Sequence, residues 1–199
     1  MIDPRAGRLR PRRAGGDGEP EVFCADEQSD HAVDLARWQR LALNVLRDEG
    51  VSGAAEMTVV YVDRETMSNL NAQYMGKTGP TDVLAFPLDM IEAVRTPGPG
   101  AQSKSPDKSP PHLGDLPLLL GDVVICPAVA YEQAPRHAGT FDDELALLLV
   151  HGMLHVLGED HDNAVNEQRM HARERAHLER HHWSGVAPNG FRHVPDSVS

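Results

Sequence analysis

The chain has 199 residues, with 19 Lys+Arg against 30 Asp+Glu, a formal net charge of −11 and a pI of about 5.4. That length accommodates one domain, and 40% apolar residues suffice to fill one core. No apolar run approaches the roughly 18 residues of a membrane span, the arginine-bearing N-terminus lacks the hydrophobic segment of a secretory leader, and two cysteines, Cys24 and Cys126, build no disulfide framework, so a reduced cytoplasmic setting is expected.

Taken in chain order, residues 1–20 are rich in Arg, Gly and Pro and read as a disordered basic extension, with Arg5, Arg8, Arg10, Arg12 and Arg13 against Asp3 alone in its first part. Glu21 to Cys24 fits a short edge strand. From Asp30 to about Glu49, the spacing of Val33, Leu35, Trp38, Leu41, Leu43, Val45 and Leu46 predicts an amphipathic helix stopped by Gly50. The β-branched run Met57–Val62 is a strand, and Asp63 caps a helix through Met67, Leu70 and Tyr74. A turn-rich loop from Gly76 to Thr81 leads into a strand, Val83–Phe86, closed by Pro87. Six prolines between about 95 and 117 mark a flexible insertion.

Leu118 to Cys126 is the next strand, and Pro127 opens a helix reaching about His137. Thr140 caps a helix whose first turn carries Asp142, Asp143 and Glu144, where acids oppose the positive helix end. It runs through Leu145–Leu157 and stops at Gly158. A strongly charged helix covers about 165–182, and 183–199 form a tail. This order predicts an α+β fold: one domain over 21–182, with a small mixed sheet of about four strands covered by helices.

Eight of the eleven histidines lie in the last part of the chain, at 151, 155, 161, 171, 177, 181, 182 and 193. The informative stretch is His151-Gly-Met-Leu-His155-Val-Leu-Gly158-Glu-Asp-His161. Residues four apart on a helix differ by about 40° in azimuth, so His151 and His155 share a face. Gly158 permits the positive φ that turns the chain back, bringing His161 towards the same face. Three imidazoles with a fourth position open is the arrangement of a catalytic zinc site. His171, His177, His181 and His182 sit on the charged helix and are expected to be solvated.

The spacing also matches the metzincin protease pattern, except that Gly152 stands where the protease carries its general-base glutamate. Peptide hydrolysis needs that carboxylate, whereas a metal can still activate water towards a phosphodiester. Gly76-Lys77-Thr78 imitates the end of a phosphate-binding P-loop, but Asn71 replaces the required glycine and a helix precedes the loop.

The histidine block resembles the signature of the YbeY family. Two further blocks resemble the same family: Leu70-Asn-Ala-Gln-Tyr-Met-Gly-Lys-Thr-Gly-Pro-Thr-Asp-Val-Leu-Ala-Phe-Pro87 and Leu120-Gly-Asp-Val-Val-Ile-Cys-Pro127. The resemblance implies a zinc-dependent endoribonuclease with His151, His155 and His161 as ligands, acting on single-stranded RNA. It further implies maturation of the 3′ end of 16S rRNA and late-stage ribosome quality control. The nucleophile implied is a zinc-bound water; the general base is unassigned, with Glu159 and Asp160 nearby in sequence. Many relatives carry arginine at the position of Met75; here either Lys77 supplies the charge nearby, or phosphate is bound more weakly or in another place.

Thr81 and Asp82 either cap a turn or contact substrate. Asp122 either orients a ligand histidine through its second ring nitrogen or bonds loop backbone. Met170 packs in the core, beneath the metal or elsewhere. Two other readings compete: a non-catalytic ribosome-assembly factor with a structural zinc, and a metzincin-like metalloprotease. The net charge excludes a uniformly basic RNA-coating surface. It is compatible with an RNA enzyme whose metal supplies local positive charge, so weak, salt-sensitive RNA binding is expected; the N-terminal arm and arginines 136, 169, 173, 175 and 180 are candidates to add attraction, with a solvated helix face the default for the last four.

Overall fold

A computed structural model describes residues 18–88, 117–159 and 163–193. The expectations for the basic extension (apart from residues 18–20), for the 95–117 insertion up to residue 116, for the end of the tail, and for Asp160 and His161 lie outside the described residues.

The chain runs β1 (Glu21–Glu27), α1 (Leu35–Asp48), β2 (Ala55–Val62), α2 (Arg64–Leu70), β3 (Val83–Pro87), β4 (Leu118–Ile125), α3 (Pro127–Gln133), α4 (Phe141–Val156) and α5 (Ala164–His181). The four strands form one sheet in the order β1-β2-β4-β3. β1 and β4 both run parallel to β2, and β3 runs antiparallel to β4 at the edge. The mixed α+β sheet covered by helices is therefore as the sequence implies.

Capping chemistry sets several boundaries. The Asp63 side chain accepts from Thr66 N–H at 2.7 Å and starts α2, which widens into a π-type turn over Asn71–Met75. α1 starts at Leu35, later than its apolar spacing suggests. Gln28 Oε1 accepts the N–H groups of Asp30 and His31 at 2.8 and 2.9 Å, holding them in a turn. Asp34 then caps the helix, accepting from Arg37 N–H at 3.0 Å. α3 tightens into a 3₁₀ turn at Ala134–Arg136, where Pro135 has no N–H to continue the α ladder.

Strand alternation divides the apolar residues between the two sheet faces. Met57, Val59 and Tyr61 of β2 face the main core with Trp38, Val45 and Leu46 of α1 and Leu145, Leu149 and Met153 of α4. On the other face Met67 of α2 covers Val62, Leu84, Val124 and Cys126. A bulge beside Met57 carries Gly121, at φ 142°, opposite Pro87. A Cβ on Gly121 would lie 2.2 Å from Phe86 O, so only glycine lets β3 approach this closely.

Candidate metal centre

α4 is buried almost all round because the sheet lies on one side and other helices pack on the rest. From Asp143 to Val156, only His151 and His155 are partly open to solvent. The helix starts where Thr140 Oγ1 accepts from Asp143 N–H at 3.1 Å. It rests on the sheet through Gly152, where a Cβ would meet Val123 Cγ1 at 2.6 Å and Val83 Cγ2 at 3.2 Å. A side chain at 152 would therefore enter the sheet, so the position of the protease base is closed by packing as well as by residue type.

The C-terminal end of α4 is a Schellman turn. Gly158, at φ 92°, donates to His155 O, and Glu159 N–H donates to Leu154 O, both at 2.9 Å. This reversal carries the Glu159 carbonyl back to His155, whose Nδ1 lies 3.0 Å from it. His151 Nδ1 lies 2.8 Å from Glu174 Oε1 on α5. Burial alone raises the Glu174 carboxyl, but hydrogen bonds from His151 and His193, and the charge of those rings, outweigh it and hold the pKa at about 2. Glu174 is thus ionised at neutral pH.

A carbonyl and an ionised carboxylate can only accept, so both Nδ1 atoms carry the proton. When each ring keeps only that proton, each Nε2 presents a lone pair, and the two Nε2 atoms stand 3.1 Å apart. The rings meet at 76° with centroids 4.6 Å apart. A tetrahedral ion with nitrogen ligands at about 2.0–2.1 Å sets neighbouring ligand atoms about 3.3 Å apart. The donor set, its tautomers and its spacing thus fit a divalent metal, and carboxylate or carbonyl support behind each ring is what such ligands require.

Sequence reasoning missed Glu174 and His193. Glu174 is buried and binds His193 Nδ1 through its second oxygen, at 3.2 Å. His171 stacks on His193, with ring centroids 4.3 Å apart. A signal was available: Met170, Glu174, His177 and Leu178, the buried residues of α5, repeat at helical spacing. An acid in such a stripe needs a partner. Met170 itself is a core residue.

The packing of α5 corrects the solvated placement of His177, His181 and His182 and pairs all four arginines of this helix with carboxylates. His177 is 6% exposed and meets Glu49. His181 bonds Asp48, and His182 bonds Asp143 at 2.8 Å, because the acids ending α1 and starting α4 face this helix. Arg169 and Arg173 both pair with the buried Glu159 carboxylate, and Arg175 and Arg180 pair with Glu179 and Asp48. The Glu159 carboxylate is therefore held by two guanidinium groups, while only its carbonyl serves the imidazole pair.

Asp82 joins a different network. Its carboxylate accepts from Val83 N–H at 2.8 Å, Thr81 Oγ1–H at 3.0 Å and Gln133 Nε2–H at 2.6 Å. Gln133 also donates to Glu144 at 2.8 Å, two turns before His151 on α4. Burial pushes the Glu144 carboxyl up despite the N–H of Ala138, Gln133 and His137, and nearby Asp82 adds to the rise. Thr81 and Asp82 thus lock the start of β3 to α3 and α4. Asp122 orients neither ring of the pair, since both Nδ1 atoms are engaged elsewhere. It lies in register with Thr58 and Phe86, on the face opposite the main core. Lys77 and Met75 are exposed after the π-type turn.

A family model described as Endoribonuclease YbeY matches residues 23–182. Proteins named Endoribonuclease YbeY include one from Salinispora tropica, 42% identical over 148 residues, covering 74% of this chain and 84% of that protein. Another, from Kineococcus radiotolerans, is 39% identical over 157 residues, covering 77% and 82%. The solution structure of TM1509 from Thermotoga maritima has a TM-score of 0.50 at 23% identity, covering 79% of this chain and 87% of that one, and shares the fold. Because the family match extends from β1 past the end of α5 and contains the whole histidine block, the chain belongs to the YbeY family.

Proposed function

We propose that the chain is a zinc-dependent endoribonuclease that hydrolyses phosphodiester bonds of single-stranded RNA, with His151, His155 and His161 as metal ligands. Its setting is the cytoplasm and its substrate is small-subunit rRNA on the ribosome, in maturation of the 16S 3′ end and late-stage quality control. The names of the relatives support RNA cleavage. The observation that carries the metal is the pair of Nε2 atoms 3.1 Å apart, with both Nδ1 atoms bonded to oxygen.

A bound zinc ion would supply Lewis acidity towards a phosphodiester and bring the pKa of a water ligand to about 7. The protein supplies orientation. Glu174 keeps a proton on His151 Nδ1, and the Glu159 carbonyl keeps one on His155 Nδ1. Gly158 makes the second contact possible by ending α4 in a left-handed turn. The two carboxylates beside the pair are already engaged, Glu159 by Arg169 and Arg173, Glu174 by His151 and His193. Neither replaces the base that a protease carries at position 152, which favours phosphodiester over peptide hydrolysis.

His155→Ala should lose the zinc ion of the His151–His155–His161 centre and cleavage of a single-stranded RNA, while duplex RNA resists the wild type. Cleavage retained by the purified variant would refute the metal mechanism. Unfolding on zinc removal, together with no cleavage by the wild type, would instead support an assembly factor with a structural metal.

A further inference from the structure

A second cluster of imidazole and carboxylate groups lies where α1 ends against α5. Asp48, the last residue of α1, places Oδ2 2.8 Å from His181 Nε2 and 3.9 Å from His177 Nδ1. His177 and His181 stand one helical turn apart on α5, their rings at 21°. The three ligand atoms lie within 4.8 Å of one another. The far nitrogen of His177 is already held, with Nε2 2.7 Å from Glu49 Oε1, and Glu49 is fixed in turn by Arg173.

This repeats the logic of the main centre, an imidazole steadied from behind by a carboxylate. With its Nε2 proton donated to Glu49, a neutral His177 offers the Nδ1 lone pair to the space beside Asp48. Ligand atoms around a divalent ion at about 2.0–2.2 Å sit about 3 Å or slightly more apart. The observed 2.8 and 3.9 Å bracket that value, and the two imidazole nitrogens lie within 4.8 Å of each other. Arg180 also touches Asp48, but its side chain is 69% exposed and can swing into solvent. His181 would shift its proton from Nε2 to Nδ1, or release it, on ligation.

We infer that Asp48, His177 and His181 form a second site for a divalent transition metal, a clip between α1 and α5. Two imidazoles and one carboxylate suit zinc, nickel or copper(II) rather than magnesium or calcium. The clip would fasten the helix that carries Glu174, which lies one turn before His177. It stands independently of the RNA reading, because none of its ligands belongs to the His151–His155 pair.

The test uses the full chain with His155→Ala, which disables the main centre. Zinc binding is measured by equilibrium dialysis with elemental analysis, and copper(II) binding by electron paramagnetic resonance. One zinc per chain should remain, and the copper spectrum should show two imidazole nitrogens. Adding His181→Ala should weaken zinc binding about tenfold or more and remove one nitrogen, and Asp48→Asn should weaken zinc with both nitrogens kept. Circular dichroism checks that each variant folds. The site is overturned if His155→Ala shows fewer than two coordinated nitrogens, or if its zinc is indifferent to both added substitutions. In that case the cluster is an ion-pair network only, or the zinc sits elsewhere, for instance at His171 and His193.

Discussion

Glu174 touches His151 across 2.8 Å although 23 positions separate them in the chain. Its carboxylate accepts the Nδ1 proton and so fixes the tautomer of that ring, and Glu174→Gln should lower zinc affinity by about 10–100-fold. The far-ultraviolet circular dichroism should stay native, since the amide fills the same volume. Competition with a chromophoric chelator measures the change, and unchanged affinity would remove Glu174 from the centre. The imidazole pair was legible from local spacing alone, because four residues on a helix settle which side chains share a face. Glu174 was not, because its partner comes from another helix, and arginines at 173 and 175 make its neighbourhood resemble a solvated face. Thr81 and Asp82 show the same limit: the turn they stabilise was readable, while the bridge through Gln133 to Glu144 depends on how α3 meets α4.

At the scale of elements, the end of α4 couples helix termination to the chemistry of the site. Alanine at 158 must adopt φ near 92°, costing about 1–2 kcal/mol. Relaxing that strain would pull the Glu159 carbonyl from His155. Gly158→Ala should therefore reduce both the denaturation midpoint and zinc affinity, whereas an effect on stability alone would uncouple the turn from the metal. Strands and caps were readable in the sequence because β-branched runs and Asp63 or Thr140 act locally. The surroundings of α5 were not, since its charged residues meet acids at the end of α1, the start of α4 and the turn after α4, all distant in sequence.

At the scale of the whole molecule, the arginines of α5 pair with carboxylates, so they add little to an RNA-attracting field. The acidity is instead built into the joins between elements. Asp143 feels burial most, which raises its pKa, but donors Thr140, Trp183 and His182 together bring it below the usual 3.8. Arg37 of α1 approaches the same corner through Asp142 and His182. A folded-state pKa below the unfolded one stabilises the protein above the unfolded value, and this contribution disappears as pH falls through the folded one. Asp143→Asn should therefore be less stable than wild type near neutrality, and the gap should close on acidification below 3.8. Thermal melts of both proteins across that range check the sign, and a gap that widens in acid would contradict it.

The antiparallel pairing of β3 with β4 has a consequence for the chain between them. Pro87 is paired with Gly121, so the strand ends flanking the stretch from Pro87 to Leu118 lie side by side, as at the mouth of a hairpin. Closing a loop between adjacent ends depends only logarithmically on its length, about 0.6 kcal/mol per doubling. The sheet therefore tolerates wide variation in the length of this connection. Replacing most of it by a short turn should preserve cooperative unfolding and zinc content, with a small gain in stability from the shorter closure. Loss of zinc from such a protein would give the connection a role at the centre that strand pairing alone does not require.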